Sequence, residues 1–218
     1  MIELDRLRAA YTALSDVALS LDEAGSWAPT GCAGWAARDL VFHLLGDAQR
    51  ALVALATPAV APADRDRVSY WTDAPGQDDP DSRGLRATRT MASAWKLSAL
   101  VDTYAETTRA AVVLAGRSPA DALVATQGHV LRVDDLLDTL VVEAGLHHLD
   151  LVVALDRPGP SAGTLAAVRA TLDARLGRAS PPGWDDATWA RLATGRARLD
   201  ADAAALLGDD ASRLPLIH

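Results

Sequence analysis

Apolar residues recur at intervals of three and four along most of this chain. Between residues 4 and 21 they fall at Leu4, Leu7, Tyr11, Leu14, Val17 and Leu21, a period that gathers them on one face of a helix. The same spacing predicts a second helix over 35–55 and a third, long one over 85–114, whose stripe runs through Met91, Trp95, Leu97, Leu100, Val101 and Tyr104. A fourth is expected over 133–155, opening on Asp134 and Asp135, where acidic side chains suit the positive end of a helix dipole. Arg157-Pro-Gly-Pro-Ser161 ends it, and Ser161 is placed to cap a fifth helix running to 176. Pro181-Pro-Gly183 breaks the pattern again, and two short helices follow near 185–194 and 200–207.

The gaps between these stripes are as informative. Residues 27–34 hold Pro29, Gly31 and Gly34 and read as a loop. Residues 58–84 are rich in Pro, Asp and Gly and read as a long surface loop; Tyr70 and Trp71 within it predict that part of it packs down. A loop of that length in a compact domain usually serves function, here as a candidate for shaping a pocket. Residues 116–132 form another connection, with a short extended piece within 124–132. Four helices joined by one long crossover make an all-α four-helix bundle. The expected division is a bundle over 1–155 and a short helical C-terminal extension over 156–218.

Composition narrows the setting. The chain has 218 residues, half of them hydrophobic, which suits one globular domain with a small appendage. A net charge of -8 leaves no basic footprint for nucleic acid. Cys32 is the only cysteine, so no internal disulfide framework exists and a reducing compartment fits. No apolar run approaches the roughly 20 residues of a membrane span, and the first residues lack the pattern of a signal peptide. A cytoplasmic protein is expected. Arginine far outnumbers lysine, a hint of a GC-rich source.

The chemistry gathers in Val141-Val-Glu-Ala-Gly-Leu-His-His-Leu-Asp150. Spacings of four and three put Glu143, His147 and Asp150 on one helix face. A carboxylate and an imidazole one turn apart can close on one metal ion. About a hundred residues upstream, Trp35-Ala-Ala-Arg-Asp-Leu-Val-Phe-His43 carries one histidine among apolar neighbours. If the two helices face each other, His43, Glu143 and His147 make three protein ligands and leave a fourth position open.

Duller readings compete with each residue. A lone His43 is more often a core histidine, and an apolar-flanked Glu143 is costly unless paired with an arginine or a metal. His148, about 100° round the helix from His147, is expected to face solvent or a neighbouring helix. Asp150 either holds the far N–H of a ligand histidine or is a surface charge. Cys32 is expected to be packing, Asp39 to bond to the preceding loop, and Trp27, Trp35 and Trp95 to be core. Arg86, with Arg83 and Arg89 at spacings of three, and Arg196 in the tail are candidates to bind an anionic substrate. His129 and His218 have no partner visible in the sequence.

The segment Trp27-Ala-Pro-Thr-Gly-Cys-Ala-Gly-Trp-Ala-Ala-Arg-Asp-Leu-Val-Phe-His43 resembles the N-terminal signature of the mycothiol-dependent maleylpyruvate isomerase family. Glu143-Ala-Gly-Leu-His-His-Leu-Asp150 is similar to that family's second metal motif. The family belongs to the DinB-like group of four-helix bundles, and the resemblance spans roughly residues 1–155. It implies that His43, Glu143 and His147 hold a divalent metal, typically Zn2+, with mycothiol, the small thiol of actinobacteria, as cosubstrate. On this resemblance the tail, with Thr194-Gly-Arg196 and Leu214-Pro-Leu216, is shorter than the isomerase's C-terminal α/β domain, which leaves the substrate open.

A metal with one open position lowers the pKa of a bound thiol. The metal-bound thiolate, or a metal-bound water, is then the reactive group, and no side-chain nucleophile is needed. In an isomerase the thiolate adds to a cis double bond, permits rotation and leaves; in an S-transferase it attacks an electrophilic small molecule and stays. Two other classes compete. One is a non-catalytic metal-bound bundle that binds a small molecule or pairs as a homodimer. The other is a polar core network of Glu143 and His147 without metal.

Overall fold

The computed structural model describes residues 2–73 and 83–217. Four long helices form the bundle: α1 (Ile2–Leu19), α3 (Ala37–Leu55), α5 (Leu97–Ala115) and α6 (Val133–Leu151). Helix α1 packs on α5 and α6, and α3 packs on the same two from the other side. Their apolar stripes meet in one core that includes Leu7, Leu14, Leu40, Val41, Leu44, Leu100, Tyr104 and Val141. The all-α bundle expected from the periodicity is therefore the fold, with one short hairpin added.

Sequence signals account for most boundaries. Ser161 accepts the Thr164 N–H and starts α7 (Ala162–Leu176), while Gly177 ends it at φ 85°, a left-handed cap that glycine adopts without strain. Asp185 and Asp200 cap α8 (Asp186–Ala193) and α9 (Ala201–Leu207) in the same way. The Glu23–Ser26 turn, α2, precedes the 27–34 loop. Helix α6 stops at Leu151, four residues short of the expected 155.

One expected helix is two. Residues 85–114 do not form a single rod: α4 (Arg83–Ala94) ends and α5 begins at Leu97, with Lys96 in an extended conformation between them. The cause lies in a distant residue. Arg38, buried on α3, donates through Nη2 to Trp95 O at 2.7 Å and to Ala92 O at 3.3 Å, capping carbonyls that a continuous helix would have used itself.

The extended piece is an antiparallel pair, β1 (Leu123–Thr126) and β2 (His129–Arg132), closed by Gln127 at φ 50° and Gly128 at φ 84°. Two successive left-handed residues make the turn whose twist suits a tight hairpin. The 58–84 stretch is less of a loop than expected. It runs along the hairpin, where Asp64 accepts the Val130 N–H at 2.7 Å and lies 2.9 Å from His129 Nδ1, and then winds into a 3-10 turn over Ser69–Asp73. Residues 83 and 84 belong to α4, and the rest of that expected loop falls outside the described residues.

Helices α7 and α8 build a second apolar cluster on the outer side of α6, where Val142, Leu146 and Leu149 meet Val168, Leu172 and Trp189. Gly145 permits this approach: a Cβ there would lie 2.9 Å from both Thr164 Cγ2 and Val168 Cγ2. Trp71 joins the same cluster, and Arg175 ties the two segments by donating to Val68 O at 2.9 Å and Leu216 O at 2.7 Å. No helix among the described residues is long and apolar enough to cross a membrane.

Candidate metal centre

Helices α3 and α6 bring His43 and His147 face to face, with Nε2 atoms 3.2 Å apart and ring planes near perpendicular. Trp35 packs tilted against His43, its ring centroid 5.0 Å away. Glu143 lies one turn before His147 on α6. The structure adds a residue that the sequence reading missed: Asp47, one turn after His43 on α3, with Oδ2 3.2 Å from His43 Nε2. Each of His43, Asp47, Glu143 and His147 offers one ligand atom, and these atoms lie within 4.8 Å of one another. The spacing of four that singled out Glu143 and His147 applies equally to His43 and Asp47, and was the signal available.

A buried relay orients His147 from behind. Its Nδ1 is 3.1 Å from Asp150 Oδ2, and Arg196 grips Asp150 with both Nε and Nη2 at 2.9 Å. With Asp150 accepting, a proton sits on Nδ1, and Nε2 is the ring nitrogen that faces the cluster. The Cys32 thiol also donates to Asp150, Sγ to Oδ2 3.3 Å, and Sγ lies 3.8 Å from His147 Nδ1. Cys32 is thus buried, as expected, but in a polar contact rather than plain packing. The loop that carries it is pinned by Gly31 N–H donating to Asp150 O at 2.9 Å.

The electrostatics show what the cluster lacks. Burial, helped by His147 beside it, pushes the His43 pKa down to about 3. Burial also opposes charge on His147, but the hydrogen bonds to Asp150 and Cys32 outweigh it and push that pKa well above the ordinary range. Burial and the neighbouring Glu143 push the Asp47 carboxyl up. For Asp150 burial acts upward, yet His147 and Arg196 bring it down to about 2. Two carboxylates crowd two imidazoles, and Asp47 Oδ2 is buried without a hydrogen-bond donor. Two imidazole nitrogens and two carboxylates are a donor set suited to a divalent ion such as zinc, so these residues fit one.

A narrow cleft of about 20 Å³, room for little more than a water molecule, opens onto the cluster, lined by Asp47 and Glu143 together with Arg50, Tyr70, Thr126 and Thr139. Tyr70 and Trp71 place the 58–73 strap on this rim, and the Tyr70 hydroxyl bonds to the Gln127 side chain at 3.0 Å.

The other predicted residues scatter. His148 is buried, but points away from the cluster to Pro158 O at 3.1 Å. Arg196 lies behind the site, spent on Asp150 rather than facing the cleft. Arg86 is exposed on α4 and lines a separate depression with Trp27, Asp39 and Arg89. Asp39 accepts the Ala36 N–H at 2.9 Å and so bonds to the preceding loop as expected. Trp35 is buried and Trp95 half-buried, whereas Trp27 is 54% exposed, drawn out of the core to lie 4.5 Å from the Arg38 guanidinium. His129 finds its partner in Asp64, and His218 falls outside the described residues.

The fold and cluster together define a helical bundle in which side chains able to ligate a metal converge at one end of a cleft. The chain belongs to the mycothiol maleylpyruvate isomerase N-terminal domain family, whose model matches residues 7–152. Its fold is similar to crystal structures of the mycothiol-dependent maleylpyruvate isomerase, at 18% identity and a TM-score of 0.60, and of a histidine-to-alanine variant of it, at 17% and 0.60. Both matches cover 89% of this chain and 88% of the isomerase chain. That coverage of the isomerase chain overturns the expectation of a shortened tail, since the likeness extends past the bundle into the C-terminal extension. No curated protein sequence matches the chain.

Proposed function

We propose that this protein is a metal-dependent enzyme that uses a low-molecular-weight thiol, mycothiol, as a cis–trans isomerase of the maleylpyruvate isomerase type or as a thiol S-transferase. The observation that carries the reading is the convergence of His43, Asp47, Glu143 and His147 beside a cleft. In this reading His43, Glu143 and His147 hold a divalent ion, with Zn2+ the expected metal. When bound, that ion supplies a Lewis acid able to lower the pKa of a thiol. Asp150 fixes the His147 tautomer, Arg196 fixes Asp150, and a thiol and an electrophilic small molecule would reach the ion through the cleft, which must widen to take them. Tyr70 and Trp71 cover one side of the cleft and limit water there. Residues 1–155 form the metal-binding bundle and 156–218 an extension that completes the site from behind through Arg196.

Metal quantification on protein purified without a histidine tag tests the first half. We expect about one metal per chain, lost in His43→Ala and in His147→Ala. Full occupancy in both variants would overturn the site. Incubation with mycothiol and a panel of electrophiles tests the second half. An isomerase regenerates the thiol and an S-transferase consumes it stoichiometrically. Glutathione or bacillithiol working equally well would remove mycothiol from the proposal.

A further inference from the structure

Asp47 is not explained by a three-ligand site. Its side chain is 8% exposed, it sits on the same face of α3 as His43, and Oδ2 is buried with no group donating to it. An unmet carboxylate oxygen in such a place is costly unless something absent from the chain satisfies it. The other oxygen is not orphaned: Oδ1 lies 3.4 Å from Arg50 Nη1, whose guanidinium is half exposed and lines the cleft. The carboxylate therefore stands between two cation positions, one inside the cluster and one at the rim.

We propose that Asp47 is a fourth protein ligand to the metal, and that Arg50 is the alternative partner that receives its carboxylate when a thiol takes its place. The inference rests on the metal reading given above and extends it. Charge supports the exchange. Two neutral imidazoles and two carboxylates balance a divalent ion, and a thiolate replacing Asp47 keeps that balance, its proton having left to solvent. The released carboxylate would be stranded in a buried site without Arg50. Arg50 is thus a positioning residue for Asp47, and the pair guards access to the ion. Asp47 also accounts for a cluster in which every donor is protein: the open position must be made rather than found.

The test is zinc affinity by chelator competition, on wild-type protein and on Asp47→Ala, Asp47→Asn and Arg50→Ala. A group acting from outside the ligand set costs about 10–100-fold in metal affinity. We expect Asp47→Ala to exceed the upper end of that range, Asp47→Asn to lie between the wild type and Asp47→Ala, and Arg50→Ala, which removes only the partner of Asp47, to stay within it. Mycothiol binding to the zinc-loaded proteins, measured by calorimetry, should move in opposite directions: tighter in Asp47→Asn, weaker in Arg50→Ala. Melting curves show which variants fold, and Asp47→Asn carries the test if Asp47→Ala does not. A zinc-loaded crystal structure should show an Asp47 oxygen at about 2.0–2.2 Å from the ion. Asp47 variants with wild-type zinc affinity, or a zinc-loaded structure with Asp47 beyond bonding distance, would overturn the inference and leave the three-ligand site standing. Wild-type protein that takes up no metal would overturn both.

Discussion

His147 and His148 are adjacent and both buried, yet only one meets His43. Helical geometry made that distinction legible in the sequence, because a spacing of four from Glu143 selects His147 and sends His148 round to Pro158. Asp47 was equally legible by the same rule, but His43 looked like an isolated histidine in an apolar helix. Gly31 was not legible at all. Its role depends on Asp150, more than a hundred positions away: a Cβ at residue 31 would sit 2.3 Å from Asp150 Oδ1 and 3.0 Å from Asp150 Cα. The second contact is with backbone and cannot be relieved by rotating a side chain. Gly31→Ala should therefore push the 27–34 loop off α6, breaking the Gly31 N–H to Asp150 O bond and shifting Cys32. The expected costs are about 1–3 kcal/mol in chemical denaturation and about 10-fold or more in zinc affinity, since Asp150 orients His147. Unchanged denaturation midpoint and zinc affinity would show that the loop is not seated on Asp150.

At the scale of elements, the periodicity located every long helix, and capping residues such as Ser161, Asp185 and Asp200 set the starts of the later ones. The break between α4 and α5 escaped because no Pro or Gly marks it and the apolar stripe runs straight through Trp95 and Leu97. What ends α4 is a cation from another helix. Arg38 is 4% exposed, and its guanidinium serves Ala92 O, Trp95 O and, through Nη1, Glu23 Oε1 at 3.3 Å. Local sequence rules do not see a cap delivered from more than fifty residues away. Arg38→Ala should strip the side-chain donor from Trp95 O and leave Ala92 O with the Trp95 N–H alone, at a cost of about 1–3 kcal/mol. It should also expose Trp27, which now lies over the guanidinium, so a red shift of tryptophan emission should accompany the lower melting temperature. A variant that melts with the wild type would mean that α4 ends for another reason.

The whole molecule is built around α6, which faces the bundle on one side and the extension on the other. The site shares that arrangement: its donors lie on the bundle side, while the cation that steadies them comes from Arg196 beyond α8. This long-range link was the least legible part, since a sequence shows Arg196 as a free cation and the fold spends it on Asp150. Asp150 is 2% exposed and Arg196 largely covered, so this is a buried pair. Breaking such a pair by removing one partner costs about 3–5 kcal/mol, because the other charge stays buried. Arg196→Ala should lose stability on that scale and weaken zinc binding about 10–100-fold, while Arg196→Lys, a point charge without the two-pronged geometry, should recover only part of each. The acid side of the stability curve gives an independent readout. The Asp150 carboxyl is brought down to about 2 in the folded protein, below its ordinary value, so its contribution is present at neutral pH and fades as pH falls toward 2. Without Arg196 the folded carboxyl titrates nearer its unfolded value, so this contribution shrinks, and metal-free Arg196→Ala, less stable at neutral pH, should lose stability less steeply on acidification than the metal-free wild type. If the two acid limbs coincide and zinc affinity is unchanged, the extension packs on the bundle without serving the site.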